Sequence, residues 1–398
     1  MIKNRFYIVL VVVIAVCTWQ CKKVYTPNVV SSAPNYLVVE GVINTGADST
    51  TIKLSRTTNL ADSAKTIKEL GASLYVEDNT GRRHNLTEFG NGLYKSAPLN
   101  LQSTQQCRLH IITKDQKEYV SDFVDNIKTP AIDSITYTIT GTGAQFYANT
   151  HDPTGTVKYY RWDFDETWQY VALLQSFYKY DAINNKIVPR AGENIYNCWK
   201  TNPSTQVLLG STAGLSQAVV SALPVSYVDE STGKLAHGYS MLLRQYGLTK
   251  EAYEYWQKLK KNTEQLGSIF DAQPSALTGN LHNVNDAKEP VLGYISASTV
   301  SVKRFLIGHN AIPLYSQSYF PPPGAGDCTG GTINLLPANT FDARLKAAMS
   351  SGNFTLTDDN GSAGVLIGYN YASSECVDCR VKLLGGTNIK PSYWPDVL

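Results

Sequence analysis

Charge is scarce in this sequence, and neither sign dominates. Asp, Glu, Lys and Arg make up 17% of the chain, with 35 basic residues against 33 acidic ones. A nucleic-acid binder would show a basic excess or a clustered basic face, so that class of partner is not expected. The tightest basic group, Lys258-Leu-Lys-Lys261, sits among Glu251, Glu254 and Glu264 and reads as the solvated face of a helix. Catalytic signatures are missing as well: no GxSxG, HExxH, P-loop or EF-hand loop occurs. The six histidines are dispersed, with no i, i+4 ligand pair, so neither a metal site nor a cofactor is expected. Long apolar runs are also lacking. Phe6 to Val16 is unbroken for eleven residues, which as a helix reach about 16 Å, whereas a bilayer core needs about twenty residues.

That run is therefore read as the apolar region of a signal peptide spanning residues 1–20, preceded by Lys3 and Arg5. After it comes Cys17-Thr-Trp-Gln-Cys21-Lys-Lys, not a small-residue cleavage site. A cysteine just after such a region resembles the lipobox of bacterial lipoproteins, in which the cysteine is acylated and becomes the first residue. Cys17 and Cys21 compete, and Cys21 is the expected lipidation site. An ordinary secretory signal with two incidental cysteines is the alternative. Acyl chains anchor stably because each buried methylene contributes roughly 0.8 kcal/mol. Residues 21–35, polar and with two prolines, read as a tether.

The chain is rich instead in Tyr, with 25, and in Thr, Ser, Asn and Gly, a composition suited to a β-rich extracytoplasmic protein. Seven short alternating segments with a turn every 8–12 residues fill 36–130. They predict an immunoglobulin-like or transthyretin-like β-sandwich. Residues 131–398 are expected to form a second β-rich domain with one prominent helix, 249–266. Thr249 caps that helix, Gly267 ends it, and Ala252, Trp256, Leu259, Thr263 and Leu266 make its buried face. A shorter helix is expected at about 341–349.

Export permits disulfides. After Cys17 and Cys21, five cysteines remain, an odd number. Cys107 alternates with Leu109 and Ile111 on one strand face and is expected to be the free, buried one. Cys376-Val-Asp-Cys379 could be a redox pair or half a zinc site, but no second half exists. The expectation is structural disulfides, Cys198 with Cys328 and Cys376 with Cys379.

One stretch suggests a ligand site. In Arg161-Trp-Asp-Phe-Asp-Glu-Thr-Trp168, Asp163, Asp165 and Glu166 alternate with Trp162 and Trp168. The functional reading is a sugar or calcium site, with aromatics to stack a ligand and carboxylates to accept hydrogen bonds, so these five are candidate ligand-binding residues. The competing reading is an amphipathic strand whose acids pair with arginines such as Arg161. No catalytic residue is assigned.

Several stretches, in their order, resemble a family. They are Tyr36-Leu-Val-Val-Glu-Gly41, Leu54-Ser-Arg56, Pro130-Ala-Ile-Asp-Ser134, Asn149-Thr-His-Asp-Pro153, Tyr159-Tyr-Arg-Trp162, Ile195-Tyr-Asn-Cys198, Gly267 to Pro274 and Cys379 to Trp394. The chain resembles the Bacteroidetes lipoproteins grouped as domain of unknown function 4249. The resemblance implies an outer-membrane lipoprotein often encoded beside a TonB-dependent receptor; it supplies no catalytic residues. The expected function is thus a binding or accessory subunit for such a receptor in nutrient uptake, held to the membrane by acyl chains, with a glycan or peptide as ligand. The alternatives are a cell-envelope hydrolase acting on glycans through dispersed carboxylates, or a structural or adhesive envelope lipoprotein. Lys22 and Lys23 directly after Cys21 leave open which face of the outer membrane it occupies.

Overall fold

The computed structural model describes residues 35–58, 66–264, 277–312, 328–381 and 385–396. The signal peptide, Cys21 and most of the tether lie outside them. The chain is mainly β, as expected.

The N-terminal strands are β1 (Leu37–Asn44), β2 (Ser49–Arg56), β3 (Ile67–Lys68), β4 (Ser73–Asp78), β5 (Arg83–Glu88), β6 (Leu93–Pro98), β7 (Gln106–Ile112), β8 (Glu118–Ser121) and β9 (Val124–Ile127). They run antiparallel in the order β1-β2-β6-β5-β4-β7, and β7 then pairs with both β8 and β9. Alternation drives this. In β2, Thr50, Ile52 and Leu54 point inward while Ser49, Thr51 and Lys53 face water.

The chain then builds a second unit with β10 (Ile132–Thr140), β11 (Gly143–His151), β12 (Tyr159–Val171), the hairpin β13 (Tyr178–Asp181) and β14 (Lys186–Pro189), β15 (Asn197–Pro203), β16 (Leu208–Ser211), β17 (Val219–Asp229) and β18 (Tyr239–Leu248). Helix α1 (Lys250–Glu264) comes next. Ala252 N donates to Thr249 Oγ1 at 3.2 Å, the expected cap. The buried face differs from expectation: Ala252 and Tyr255 are buried, Trp256 and Leu259 are half-buried and Thr263 is exposed. The 3.6-residue period carries the stripe through Tyr255, not along the line to Thr263. Gly267 and Leu266 lie outside the described residues.

After α1 the chain returns to the first unit. β19 (Leu281–Asn283) extends it beside β8, and β20 (Ala297–Ser298) inserts in parallel between β1 and β9. That insertion completes a hydrogen-bonded circuit of eight strands, β1-β2-β6-β5-β4-β7-β9-β20. The N-terminal unit is therefore a closed barrel where an open sandwich ending at residue 130 was expected. The missing strand comes from 170 residues downstream (Ile127 to Ala297), where local patterning cannot reveal it. Leu281, Val291, Ile295 and Ala297 join Leu37, Ile52, Leu54, Leu109 and Tyr119 in the barrel core. Gly293 makes the return possible: at φ +137° it lies against β1, and a Cβ there would sit 2.2 Å from Val39 O.

β21 (Val300–Ile307) then completes the second unit, a two-layer packing of β10-β11-β17 against β15-β12-β18-β21, with β16 beside β12. Phe146, Tyr160, Trp162, Tyr239, Met241 and Leu243 fill the space between the layers. A third, smaller cluster joins β22 (Gly330–Asn334), α2 (Ala338–Met349), β23 (Phe354–Ser362) and β24 (Val365–Ser373) to the β13–β14 hairpin, around Ile333, Leu345 and Leu356. Residues 131–398 thus hold these two clusters and a small one around Ile195, Ala372, Cys376 and Val377, and lend one segment to the barrel.

Cys198 bonds Cys379 and Cys328 bonds Cys376, with Cys107 free and buried. Both pairs differ from those expected. β15 brings Cys198 beside the chain end, and the short turn of helix after β24 turns Cys376 toward Cys328. In the chain-entropy account, closing loops of 181 and 48 residues contributes about 4–5 kcal/mol each. Burial pushes the Cys107 thiol up to about 12, so little reactive thiolate exists near neutral pH. Non-reducing peptide mapping should recover Cys198–Cys379 and Cys328–Cys376 links, and iodoacetamide should modify Cys107 only after unfolding.

Asp78, buried at the β4–β5 turn, accepts hydrogen bonds from Thr80 N (2.9 Å), Thr80 Oγ1 (2.6 Å), Arg82 N (3.1 Å) and Gln105 Nε2 (3.2 Å). Burial alone would raise its pKa, but the bonds from Thr80 and Arg82 outweigh it and hold the carboxyl below the usual range. A depressed folded pKa contributes stability above the unfolded value, about 3.9, and loses it as pH falls through the folded one. Asp78→Asn should therefore lower stability at pH 7 by about 1–3 kcal/mol, and the gap to wild type should shrink in urea melts taken below about pH 4.

Candidate functional site

Strand β12 carries all five candidate residues, and its alternation separates them. Trp162, Phe164 and Trp168 point between the two layers. Arg161, Asp163 and Asp165 point outward. Trp162 is 1% exposed and Trp168 is 9% exposed. Trp162 Nε1 donates to Gln245 Oε1 at 2.8 Å, and its ring fills the space that Gly210 leaves open. Both rings are core residues, so neither presents the open stacking face expected of it. An eight-residue window shows an aromatic beside a carboxylate but not that successive side chains leave on opposite faces of a packed sheet.

The outward carboxylates are held by one cation. β12 and β18 pair Asp163 directly opposite Arg244, with Asp165 on the diagonal. Arg244 Nε donates to Asp163 Oδ1 at 2.7 Å, while Nη1 and Nη2 grip Asp165 at 2.8 and 2.9 Å. The Asp165 hydrogen bonds, more than the Asp163 charge, raise the Arg244 pKa and keep it cationic. Glu166 faces elsewhere, toward the gap between the layers, where Lys234 Nζ donates at 2.5 Å and Tyr239 OH at 3.3 Å. The acids are thus paired, as the amphipathic-strand reading expects, with Arg244 and Lys234 as the main partners and Arg161 at 3.5 Å from Asp163.

Arg161 occupies a different position. Its guanidinium lies between two rings, 4.5 Å from the Tyr246 centroid and 4.4 Å from that of Trp256 on α1. Burial raises the Tyr246 pKa, so the phenol stays neutral. Arg161 Nε and Trp256 Nε1 are both buried donors with no acceptor in reach among the described residues. Both border a cleft of about 440 Å³, together with Asp163, Arg244, Gln206 and Glu40 of the barrel strand β1. A second cavity of about 540 Å³, with Glu166, Lys234, Gln145 and Tyr227, lies across the 203–206 segment. Of the five candidate residues, Trp162 and Asp163 border the first cavity and Glu166 the second, while Asp165 and Trp168 border neither. Sequence reasoning missed Arg244, Tyr246, Trp256 and Glu40. The alternation of Arg244 and Tyr246 with buried Leu243 and Gln245 in β18 was the available signal; nothing local connects either to β12.

Chemically, the cleft offers hydrogen-bond donors flanked by aromatic faces, with its carboxylates already paired, Asp163 to Arg244 and Glu40 to Lys53. Among the described residues, no group of three or more His, Cys, Asp or Glu side chains is arranged to hold a metal ion, and no helix is long and apolar enough to cross a membrane.

A family model matches residues 22–304. The chain belongs to the DUF4249 family, a domain of unknown function. The DUF4249 match covers the barrel, its returning segment, α1 and the cleft, and ends inside β21; the expected resemblance at Cys379 to Trp394 lies beyond it. No curated protein matches the chain. Solved structures that resemble it include a two-domain fibronectin type III segment of chicken tenascin, at 11% identity and TM-score 0.16, covering 55% of this chain and 92% of that one. The Yersinia pseudotuberculosis adhesin InvE resembles it at 13% identity and TM-score 0.16, covering 54% of this chain and 57% of the adhesin. Likenesses this weak carry no argument.

Arg244→Met should leave Asp163 and Asp165 without their shared cation. The pairs are partly exposed, so the expected loss is about 1–3 kcal/mol, below that of a fully buried pair. Denaturant melts at low and high salt should read a larger loss at low salt.

Proposed function

We propose that this DUF4249 protein is a Bacteroidetes outer-membrane lipoprotein, acylated at Cys21, that binds a polar ligand and serves a TonB-dependent receptor in nutrient uptake. The observation that carries the binding part is the cleft at the barrel junction. Two buried donors, Arg161 Nε and Trp256 Nε1, border it without acceptors, and leaving a buried donor unpaired costs about 1–3 kcal/mol. A ligand with neutral acceptor oxygens, as in a glycan hydroxyl or a peptide carbonyl, would recover that cost. The lipobox-like Cys21 supports the anchor, and two disulfides suit an exported chain. A hydrolase centred on Asp163, Asp165 and Glu166 is less well supported, because each carboxylate is already gripped by Arg244 or Lys234. A general acid or base must be free to exchange its proton with substrate.

A thermal-shift screen of oligosaccharides and peptides should find a stabilising ligand. At a hundred times its Kd such a ligand stabilises by about 2.7 kcal/mol. Arg161→Met should abolish the shift. A shift that survives in this variant removes the cleft as the site. For the partner, a receptor barrel should accompany the protein from solubilised outer membranes; repeated purification without one removes that part of the reading.

A further inference from the structure

The barrel end from which the N-terminal segment leaves exposes three large apolar side chains, Ile67, Leu70 and Phe89. Tyr36 N donates to Thr57 Oγ1, and Arg56 Nη1 donates to Asn35 O, so the chain enters beside the end of β2. Arg56 pairs with Ile67 in the β2–β3 ladder, and Glu69 N donates to Leu54 O. Gly71 N in turn donates to Glu88 Oε2, while Tyr94 OH bridges Ala72 N and Glu69 O. The β5–β6 turn, with Phe89, joins the same surface through Leu54 N to Gly92 O. Leu54 and Arg56 are about 7 Å apart along the strand. Ile67 (51% exposed), Leu70 (50%) and Phe89 (64%) are therefore gathered at the chain's point of entry. Lys68 adjoins them, Lys95 Nζ lies 5.3 Å from the Phe89 ring, and the Lys114 side chain runs beside Gly71. Arg56 neutralises Glu69 at 2.6 Å.

We propose that this end is a membrane-facing surface, with Ile67, Leu70 and Phe89 seated in the lipid interface and the lysines reaching the headgroups. Single exposed apolar residues need no explanation, but a gathered set rimmed by polar residues marks an interaction site. The chain's own geometry names the occupant. The 13 residues between Cys21 and Asn35 cannot span more than about 50 Å even fully extended. An acylated Cys21 thus keeps this end, where the tether joins the barrel, within about 50 Å of the bilayer. Apolar side chains at the interface with lysines extending to the headgroups are the usual arrangement of such a surface. The inference rests on Cys21 acylation and adds to it an orientation: barrel toward the lipid, cleft and C-terminal module away from it.

The test uses the full mature lipoprotein reconstituted in vesicles of phosphatidylethanolamine and phosphatidylglycerol containing brominated lipid. Two variants, Phe89→Trp and Ile183→Trp, each add one indole at an exposed position, Ile183 (94% exposed) lying on the β13–β14 hairpin turn. Mass spectrometry reads the acyl chains on Cys21 in both. With acylation present, quenching of the added fluorescence should be several-fold stronger at 89 than at 183. Equal quenching at the two sites overturns the orientation and leaves the lipoprotein reading standing, and the same holds if Phe89 is shielded by a dimer seen in sedimentation. Absence of acyl chains overturns both, and the mass alone shows that the anchor failed first.

Discussion

Two residues close the barrel. Ala297 and Ser298 lie in parallel between β1 and β9, and around them Ile43 N donates to Ser296 O, Thr45 N to Ser298 O and Thr299 N to Ile127 O. Without this insertion β1 and β9 would each expose a row of unpaired backbone groups. Because the closing strand lies beyond α1 in the chain, the barrel cannot be completed until the second unit has been traversed. The two crossings between units, at 127–132 and 298–301, also run side by side. Thr129 Oγ1 donates to Thr299 O and accepts from Gly247 N, while Gln245 Nε2 donates to Pro130 O. The junction is therefore built from backbone bonds and short hydroxyl contacts, not from a flexible linker. That is what allows Glu40, a barrel residue, to line a cleft formed mainly by the other unit.

Within that second unit the register of β12 on β18 decides the chemistry. Arg161 faces Tyr246, Trp162 faces Gln245 and Asp163 faces Arg244. A slip of one residue would send Trp162 to solvent and Asp163 into the core. The core side resists this: Trp162 is fixed by Gln245, whose amide is fixed in turn by Pro130 O and Thr150 Oγ1. The buried network thus sets the register, and the register sets the outward ion pairs. The outward face depends on contacts it does not itself make.

How much of this could be read from the sequence depends on the range of each interaction. The alternating strands of the barrel, the Thr249 cap and the buried free Cys107 depend on neighbours within a few residues, and each is legible. The barrel closure, the two disulfides and the Arg244 clamp join residues far apart in the chain: Asp165 and Arg244 are 79 positions apart, Ile43 and Ala297 254. Periodicity says nothing at that range. The candidate site was half legible for the same reason. Alternation at 161–168 marks a two-sided strand, but which side is core is settled only by the layer that packs on it. Asp163 and Asp165 lie on the open side; the two tryptophans beside them belong to the other face.

The outer face of the β15-β12-β18-β21 layer ties these observations together. At one end Trp256 of α1 covers Arg161. At the other, Tyr393 from the segment after the Cys198–Cys379 bridge lies 3.4 Å from the Arg304 guanidinium and donates to Thr167 Oγ1, while Trp394 meets Trp199 edge-on. Each end carries an arginine capped by an aromatic ring, and between them sits the ion-paired Asp163–Arg244–Asp165 row. The C-terminal segment, though beyond the family match, thereby bounds one side of the open surface, and the disulfide holds it there. On the proposed binding reading, a surface bounded by rings, with its carboxylates paired and two buried donors unpaired, suits a hydroxyl-rich or peptide-like ligand better than a free ion. An incoming charge would have to displace a partner already in place, whereas a neutral acceptor only adds to the pairs that exist.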